Sequence, residues 1–253
     1  MKRKRIYSRH NPDFKRFLTL LKGKGIRKHG LTLLSGSKQV GELLRDFPER
    51  CEGILSTGEP GMPAGEIPPS CTEYLLGNEL YREMDIYGTG APILLARIDP
   101  LPKWSDEEKN PGSTLFVPFQ DPVNVGAVIR SAAAFGVSRV VMLREAAGPF
   151  HHKATRVAGS AVFRVSLREG PSIRDLGACR FPVFTLSPQG KDVEKFRFPE
   201  AFGLLPGLEG PGIPPEIKHL NSLAVPMEPG VESLNASVAT GIVLYLWRRQ
   251  ISR

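Results

Sequence analysis

At 253 residues the chain is long enough for two modest domains or one large one, each with a core of its own. With 41% apolar and 24% charged residues it has a globular composition, and it contains no apolar run of membrane-span length. The net charge of +8 is uneven: residues 1–30 carry eleven Lys/Arg against one acid, Asp13, so this segment holds the whole surplus. A cluster of that density is an electrostatic footprint for a polyanion, nucleic acid first, with a solubilising tail as the plain alternative.

The opening MKRKRIYSRHNPDFKRF lacks the apolar block of a secretory signal and is expected in the mature protein. No amphipathic face accompanies its charge, which argues against a membrane-surface role. Next, Phe14–Leu21 has apolar residues at helical spacing, and LTLLSG after Gly30 reads as a short strand. SKQVGELLRDF is expected as a helix opened by Ser37, ILST as a second strand, and SCTEYLLGNELYREM as a second helix. GEPGMPAGEIPPS between those two is a Gly/Pro-rich loop, and TGAPILLARI closes the region with another strand. Cys51, Cys71 and Cys179 cannot all pair and have no metal-ligand spacing, so they are expected as reduced thiols of a cytoplasmic protein.

Residues 101–113, LPKWSDEEKNPGS, have the polar, Pro/Gly-containing character of a linker. The expected organisation is a small α/β domain over 1–100, this linker, and a second domain over 114–253. From Thr114 strands and helices alternate. TLFVPF, SRVVMLR, FPVFTL, FGLL and SLAVP read as buried strands. NVGAVIRSAAAFG reads as a helix capped by Asn124 and stopped by Gly136, and ESLNASVATGIVLYLWRRQ as a closing helix. Such alternation argues for a parallel sheet covered on both faces.

Three segments of this second region carry candidate chemistry. In QDPVNVGAVIRSAAAFG, Arg130 stands among small and apolar residues of a helix, with Ala127 and Ala134 at i−3 and i+4 leaving room beside it. A guanidinium so placed suits a phosphate, although a solvated polar stripe explains it about as well. GLLPGLEGPGIP, residues 203–214, holds four glycines, three prolines and one acid, Glu209; it lets backbone approach a flat ligand but is equally a surface turn. LAVPMEPGVESLNASVATGIVLYLWRRQ runs from a strand through Pro226-Met227 to Ser233-Leu234-Asn235 at the mouth of a helix that is apolar nearly all round from Ala236 to Trp247. That implies burial on several sides, by a core or by a second subunit.

In this order the segments resemble the three motifs of the SpoU/TrmH family in the SPOUT methyltransferase superfamily. The match runs from Asp121 to Gly136, more loosely over Gly207–Gly212, and then over Pro226-Met227 and Ser233–Ala239. RVAGSAVFRV, residues 156–165, resembles the small-residue stretch before a strand, and residues 10–100 loosely resemble a ribosomal-protein-like substrate-binding domain. The resemblance implies a parallel-sheet SPOUT domain tied in a trefoil knot. It implies S-adenosyl-L-methionine held by Gly207, Glu209, Gly212, Val225, Pro226, Met227, Ser233 and Leu234, and a homodimer through the closing helix. It further implies methylation of a ribose 2′-hydroxyl in RNA, ribosomal more than transfer RNA, with Arg130, Asn124, Glu209 and Asn235 as the catalytic set. A guanidinium pKa above ~12 makes Arg130 a poor base and a better stabiliser of a developing alkoxide, and leaves Glu209 as the other candidate base.

Two other readings remain open on sequence: a non-catalytic RNA-binding or ribosome-assembly protein with the same fold, and a Rossmann-type enzyme. The latter is disfavoured because no G-x-G-x-x-G follows a strand. His151-His152 lacks a third ligand and is expected in a solvated loop rather than at a metal.

Overall fold

A computed structural model describes residues 2–58, 67–107, 112–208 and 212–251. The chain divides into two compact units, Met1–Pro100 with Phe150–Phe163, and Leu101–Pro149 with Arg164–Arg253. No described helix is long and apolar enough to cross a membrane.

The first unit opens with β1 (Lys2–Ile6), α1 (Pro12–Leu21), α2 (Ile26–His29) and β2 (Leu31–Ser35). It continues with α3 (Ser37–Asp46), β3 (Cys51–Ser56), β4 (Thr72–Leu76), α4 (Asn78–Met84) and β5 (Ile93–Arg97). Its sheet has the order β1-β4-β3-β5-β2, with β1, β4 and β3 mutually parallel and β5 antiparallel to β3 and β2. Side chains alternate between its faces: Ile93 and Leu95 pack with Phe14, Phe17 and Leu20 of α1, while Leu94 and Ala96 pack with Val40, Leu43 and Leu44 of α3. Asn11 caps α1 by accepting from the Asp13 amide at 2.9 Å, with Pro12 in the first turn.

The basic amino-terminal segment is therefore no tail. Ile6, Phe14, Phe17 and Leu20 are buried in the core, each worth about 1.5–3 kcal/mol of burial. Several of its cations are met by acids: Arg3 by Glu73 at 2.6 Å, Lys4 by Asp13 at 2.8 Å, Arg9 by Glu83 at 3.0 Å and Arg16 by Asp13 at 3.2 Å.

Two expectations change here. The stretch expected as one helix, residues 70–84, is strand β4 followed by α4: Thr72–Leu76 pairs with β1 on one side and β3 on the other, and Gly77 separates strand from helix. Tertiary pairing on both edges outweighs local propensity. Ser37 is the first residue of α3 rather than its cap; Gly36 holds the cap position. The Gly/Pro-rich loop lies largely outside the described residues.

The second unit begins with β6 (Ser113–Val117), α5 (Pro122–Phe135) and β7 (Arg139–Met142). Helix α6 (His152–Ala158) follows in the chain but belongs to the first unit. There the Thr155 hydroxyl donates to the Leu33 carbonyl at 2.6 Å and Arg156 donates to the Ser35 carbonyl at 2.8 Å, fixing α6 to β2. His151 and His152 open this helix, half-buried rather than in a solvated loop: His151 caps it, and the Tyr87 hydroxyl bonds His152 Nδ1 at 3.0 Å. Then come β8 (Leu167–Glu169), β9 (Val183–Asp192), β10 (Phe202–Leu205), β11 (Ser222–Ala224) and α7 (Ala236–Ile251). The six strands form an all-parallel sheet in the order β11-β9-β10-β6-β7-β8. One face carries Phe116, Val141, Leu176, Val183 and Ile217. Helices α5 and α7 pack on each other, and Trp247 of α7 meets Phe202 of β10 edge-on with ring centroids 5.9 Å apart.

Candidate functional site

All strands of the second unit point the same way, so the loops leaving their carboxyl ends gather on one side, where α/β sheets bind ligands. A cavity of about 390 Å³ opens among four chain segments. Leu186, Ser187 and Pro188 of β9 form one wall, and Pro206, Gly207, Leu208 and Gly212 after β10 form a second. Leu223 of β11 with Val225 and Met227 beyond it form the third, and Ser233, Leu234, Asn235, Ala236 and Ala239 at the mouth of α7 the fourth.

Local chemistry explains each wall. After β10 the chain folds back on itself: the Leu208 amide donates to the Gly212 carbonyl at 2.9 Å, and the Gly212 amide returns to the Leu208 carbonyl at 3.1 Å. A Cβ on Gly207 would stand 3.2 Å from the Gly212 carbonyl carbon, so the absence of a side chain keeps this turn narrow. The β9–β11 wall depends on Gly190, where a Cβ would fall 2.5 Å from the Leu223 carbonyl carbon and 2.7 Å from its nitrogen. Only glycine allows those two backbones to approach so closely.

Asn235 caps α7: its Oδ1 accepts from the Ser237 amide at 2.9 Å and the Val238 amide at 3.3 Å. Its amide nitrogen donates to Asn124 Oδ1 of α5 at 3.2 Å. Ser237 Oγ lies 2.6 Å from Asn235 Oδ1 and 3.1 Å from Asn124 Oδ1, so one hydroxyl ties the two amides together. This network joins the cavity wall to the first turn of α5. That turn is capped by Asp121, which accepts from the Val123 amide at 2.9 Å, and not by Asn124 as expected. With the cap assigned elsewhere, the Asn124 side chain is available to α7. Gly136 ends α5 in the left-handed conformation, as expected.

Of the residues expected at a cofactor site, Gly207, Gly212, Val225, Met227, Ser233 and Leu234 line the cavity together. Pro226 sits between two of them but is exposed and is not among the lining residues. Glu209 lies outside the described residues. Of the expected catalytic set, Asn235 lines the cavity and Asn124 bonds to it. Arg130 is on the exposed side of α5, six residues or ~9 Å along the helix from Asn124, and is not among the lining residues. Sequence reasoning missed Leu186, Ser187 and Pro188, which belong to no motif, and Ser237, which stood inside the third motif without a role. Among the described residues the cavity is lined by no charged side chain, so it offers apolar surface, backbone polar groups and the neutral polar side chains of Ser187, Ser233 and Asn235. No group of three or more His, Cys, Asp or Glu able to hold a metal is found among the described residues.

Helix α7 is buried along Thr240, Val243, Leu244 and Trp247, whereas Val238 and Tyr245 remain 52% and 48% exposed. The all-round apolar sequence thus has one side in the core and one side bare.

The family profile described as SpoU rRNA Methylase matches residues 114–245. Ribosomal RNA small subunit methyltransferase G 2 of Syntrophobacter fumaroxidans is 45% identical over 251 residues, covering 99% of this chain and 50% of that protein. The chain therefore spans half the length of that relative. The 23S rRNA (guanosine(2553)-2′-O)-methyltransferase RlmP of Bacillus subtilis is 29% identical, covering 96% of this chain and 98% of that protein. An AdoMet-bound rRNA methyltransferase from Sinorhizobium meliloti has the same fold, with a TM-score of 0.77 at 20% identity over 98% of both chains.

Proposed function

The chain belongs to the SpoU rRNA Methylase family, and from that premise we propose that it transfers a methyl group from S-adenosylmethionine to a ribose 2′-hydroxyl of structured RNA, ribosomal rather than transfer RNA. The observation that carries this reading is the cavity at the strand ends, joined through Asn235 and Asn124 to the helix that bears Arg130. Its volume of about 390 Å³ lies in the range of small-ligand sites, and its apolar walls and narrow glycine turn suit a flat ring flanked by backbone. The residues present fit the methyl donor. Gly207, Gly212, Val225, Met227, Ser233 and Leu234 would hold it, with Glu209 two residues after Gly207 in sequence and Pro226 setting the course of the chain between Val225 and Met227. When bound, this donor supplies an electrophilic methyl on a sulfonium.

The protein's own residues supply alignment, exclusion of water and charge stabilisation. In this reading Arg130 stabilises the oxygen of the 2′-hydroxyl as its proton departs, since a guanidinium itself is too weak a base. Asn124 and Asn235, locked by Ser237, orient the substrate against the donor. Glu209 is the candidate acceptor of the proton.

The 2′-oxygen assignment draws support from the RlmP relative, whose name specifies that position. The same proposal takes the second unit to be tied in the family's trefoil knot, the first to be the RNA-binding domain, and the exposed side of α7 with Val238 and Tyr245 to be a homodimer face. The test is incubation with methyl-labelled donor and ribosomal RNA or transfer RNA, followed by alkaline hydrolysis, which a 2′-O-methylated linkage resists. Label in alkali-resistant dinucleotides from ribosomal RNA is expected; label confined to bases would refute the ribose assignment.

A further inference from the structure

An exposed aromatic ring stands in the first unit, unused by the chemistry above. Tyr7 directly follows β1 and is 74% exposed. The register pairs Ile6 with Leu76, and the Gly77 amide donates to the Ile6 carbonyl at 3.0 Å, so Tyr7 lies alongside Gly77 at the carboxyl ends of the parallel strands β1 and β4. A Cβ on Gly77 would be 3.4 Å from Tyr7 Cδ1, which places the ring against that glycine.

Next along the chain from Gly77 is Asn78, which lines an open hollow of about 400 Å³ with Thr57, Tyr81, Arg82, Asp85 and neighbouring glycines. Asp85 is already engaged, accepting from the Thr89 hydroxyl at 3.0 Å and the Gly90 amide at 2.7 Å. Tyr81 is likewise engaged, donating to the Ala91 carbonyl. Thr57, Asn78 and Arg82 are exposed and make no side-chain hydrogen bond among the described residues. They supply a hydroxyl, an amide and a guanidinium. In β1, Arg5 stands two residues before Tyr7, on the same side of the strand; it is exposed and, among the described residues, carries no ion pair, unlike Arg3 and Lys4.

A lone exposed tyrosine needs no explanation. A flat ring beside a hollow edged by unengaged hydrogen-bonding side chains, with uncompensated Arg5 on the same strand, is the combination that captures an unpaired nucleotide. The ring gives the base a stacking partner, the amide and hydroxyl reach its edge, and the cations hold the phosphates. We propose that this hollow and Tyr7 form a docking site for one unstacked nucleotide of single-stranded or looped RNA. The site rests on the reading that the protein acts on RNA, and adds to it a preference for unpaired over duplex RNA that charge alone would not produce.

The experiment measures binding of the full chain to fluorescein-labelled single-stranded RNA of mixed sequence and to a duplex of equal length, across a salt series. Tyr7→Ala is expected to weaken single-strand binding about tenfold or more while leaving its salt slope and duplex binding unchanged, because stacking is lost and no phosphate contact is. Tyr7→Phe keeps the ring and is expected to stay within about twofold of the parent. Arg5→Ala is expected to do the reverse, flattening the salt slope. Melting temperatures of the variants, at these exposed positions, serve as the folding control. Equal single-strand affinity for Tyr7→Ala and the parent overturns the docking site, as does a fall for Tyr7→Phe as large as that for Tyr7→Ala. A parent chain that binds neither RNA removes the RNA reading itself, a result distinguishable from the other two.

Discussion

Replacing Ser237 by alanine isolates the link between the cavity and α5. Ser237 Oγ has one proton to give and lies within reach of Asn235 Oδ1 at 2.6 Å and Asn124 Oδ1 at 3.1 Å, while Asn235 itself bonds Asn124 at 3.2 Å. Removing the hydroxyl leaves the Asn235 cap intact, since the Ser237 amide and Val238 amide still donate to it. What is lost is the shared bond that fixes the Asn124 amide against α7. A net hydrogen bond is worth about 0.5–1.5 kcal/mol, and this one is partly exposed, so stability should fall by about 1 kcal/mol or less. The same loss applied to positioning in the transition state predicts kcat/KM lower by up to about fivefold. Initial rates of methyl transfer measure this, and Ser237→Thr, which keeps a hydroxyl, should recover most of it. In a double-mutant cycle with Asn124→Ala the two effects should fall short of additivity by at least ~0.5 kcal/mol. Wild-type turnover by Ser237→Ala, or strict additivity in the cycle, would show that the three side chains do not act as a unit.

Arg130→Ala should lower turnover at least ~100-fold, as loss of a charge-stabilising donor does, while calorimetry shows donor affinity unchanged because Arg130 does not line the cavity. Gly190→Ala drives a Cβ into the Leu223 backbone and should cost about 2–3 kcal/mol or more in chemical denaturation. It should also weaken donor binding, since β11 leads into Val225 and Met227. Burial, with cationic His151 and Lys153 adding to it, pushes the His152 pKa down to about 4. Between the unfolded value of ~6.5 and about 4 the unfolded chain binds a proton that the folded chain refuses, so stability falls as pH drops through that window and is unaffected above it. Discounted for the ring's partial exposure, the loss is about 1–2 kcal/mol, and His152→Gln should flatten the slope of urea-melt stability between pH 6.5 and 4.

Where burial follows a single period, the sequence displayed its structure. Phe14, Phe17 and Leu20 mark α1, and the unbroken apolar runs of β2, β5 and β6 are strands. Strand β1 was invisible, because four consecutive cations followed by one isoleucine form no strand pattern. Two of its four charges, Arg3 and Lys4, are met by Glu73 and Asp13, the first of these acids seventy residues distant. Strand β4 hid inside an apparent helix because its apolar residues run straight into those of α4, and only Gly77 marks the change. At the site, the motif segments announced three of the four walls. The β9 wall did not show, since Leu186, Ser187 and Pro188 are ordinary residues brought there by strand order alone. The α5 cap lies three positions before Asn124, and that shift matters: it assigns capping to Asp121 and leaves the Asn124 side chain to α7.

The central claim is that the cavity between β9, β10, β11 and α7 holds the methyl donor. Titration calorimetry with S-adenosylmethionine on the parent chain and on Ala239→Phe, whose side chain would project into the lining, tests this directly. Saturable binding at one site per chain, weakened at least tenfold by Ala239→Phe without loss of the folded-state melt, is the expected result. No binding by the parent chain, or equal affinity in the filled cavity, would contradict it.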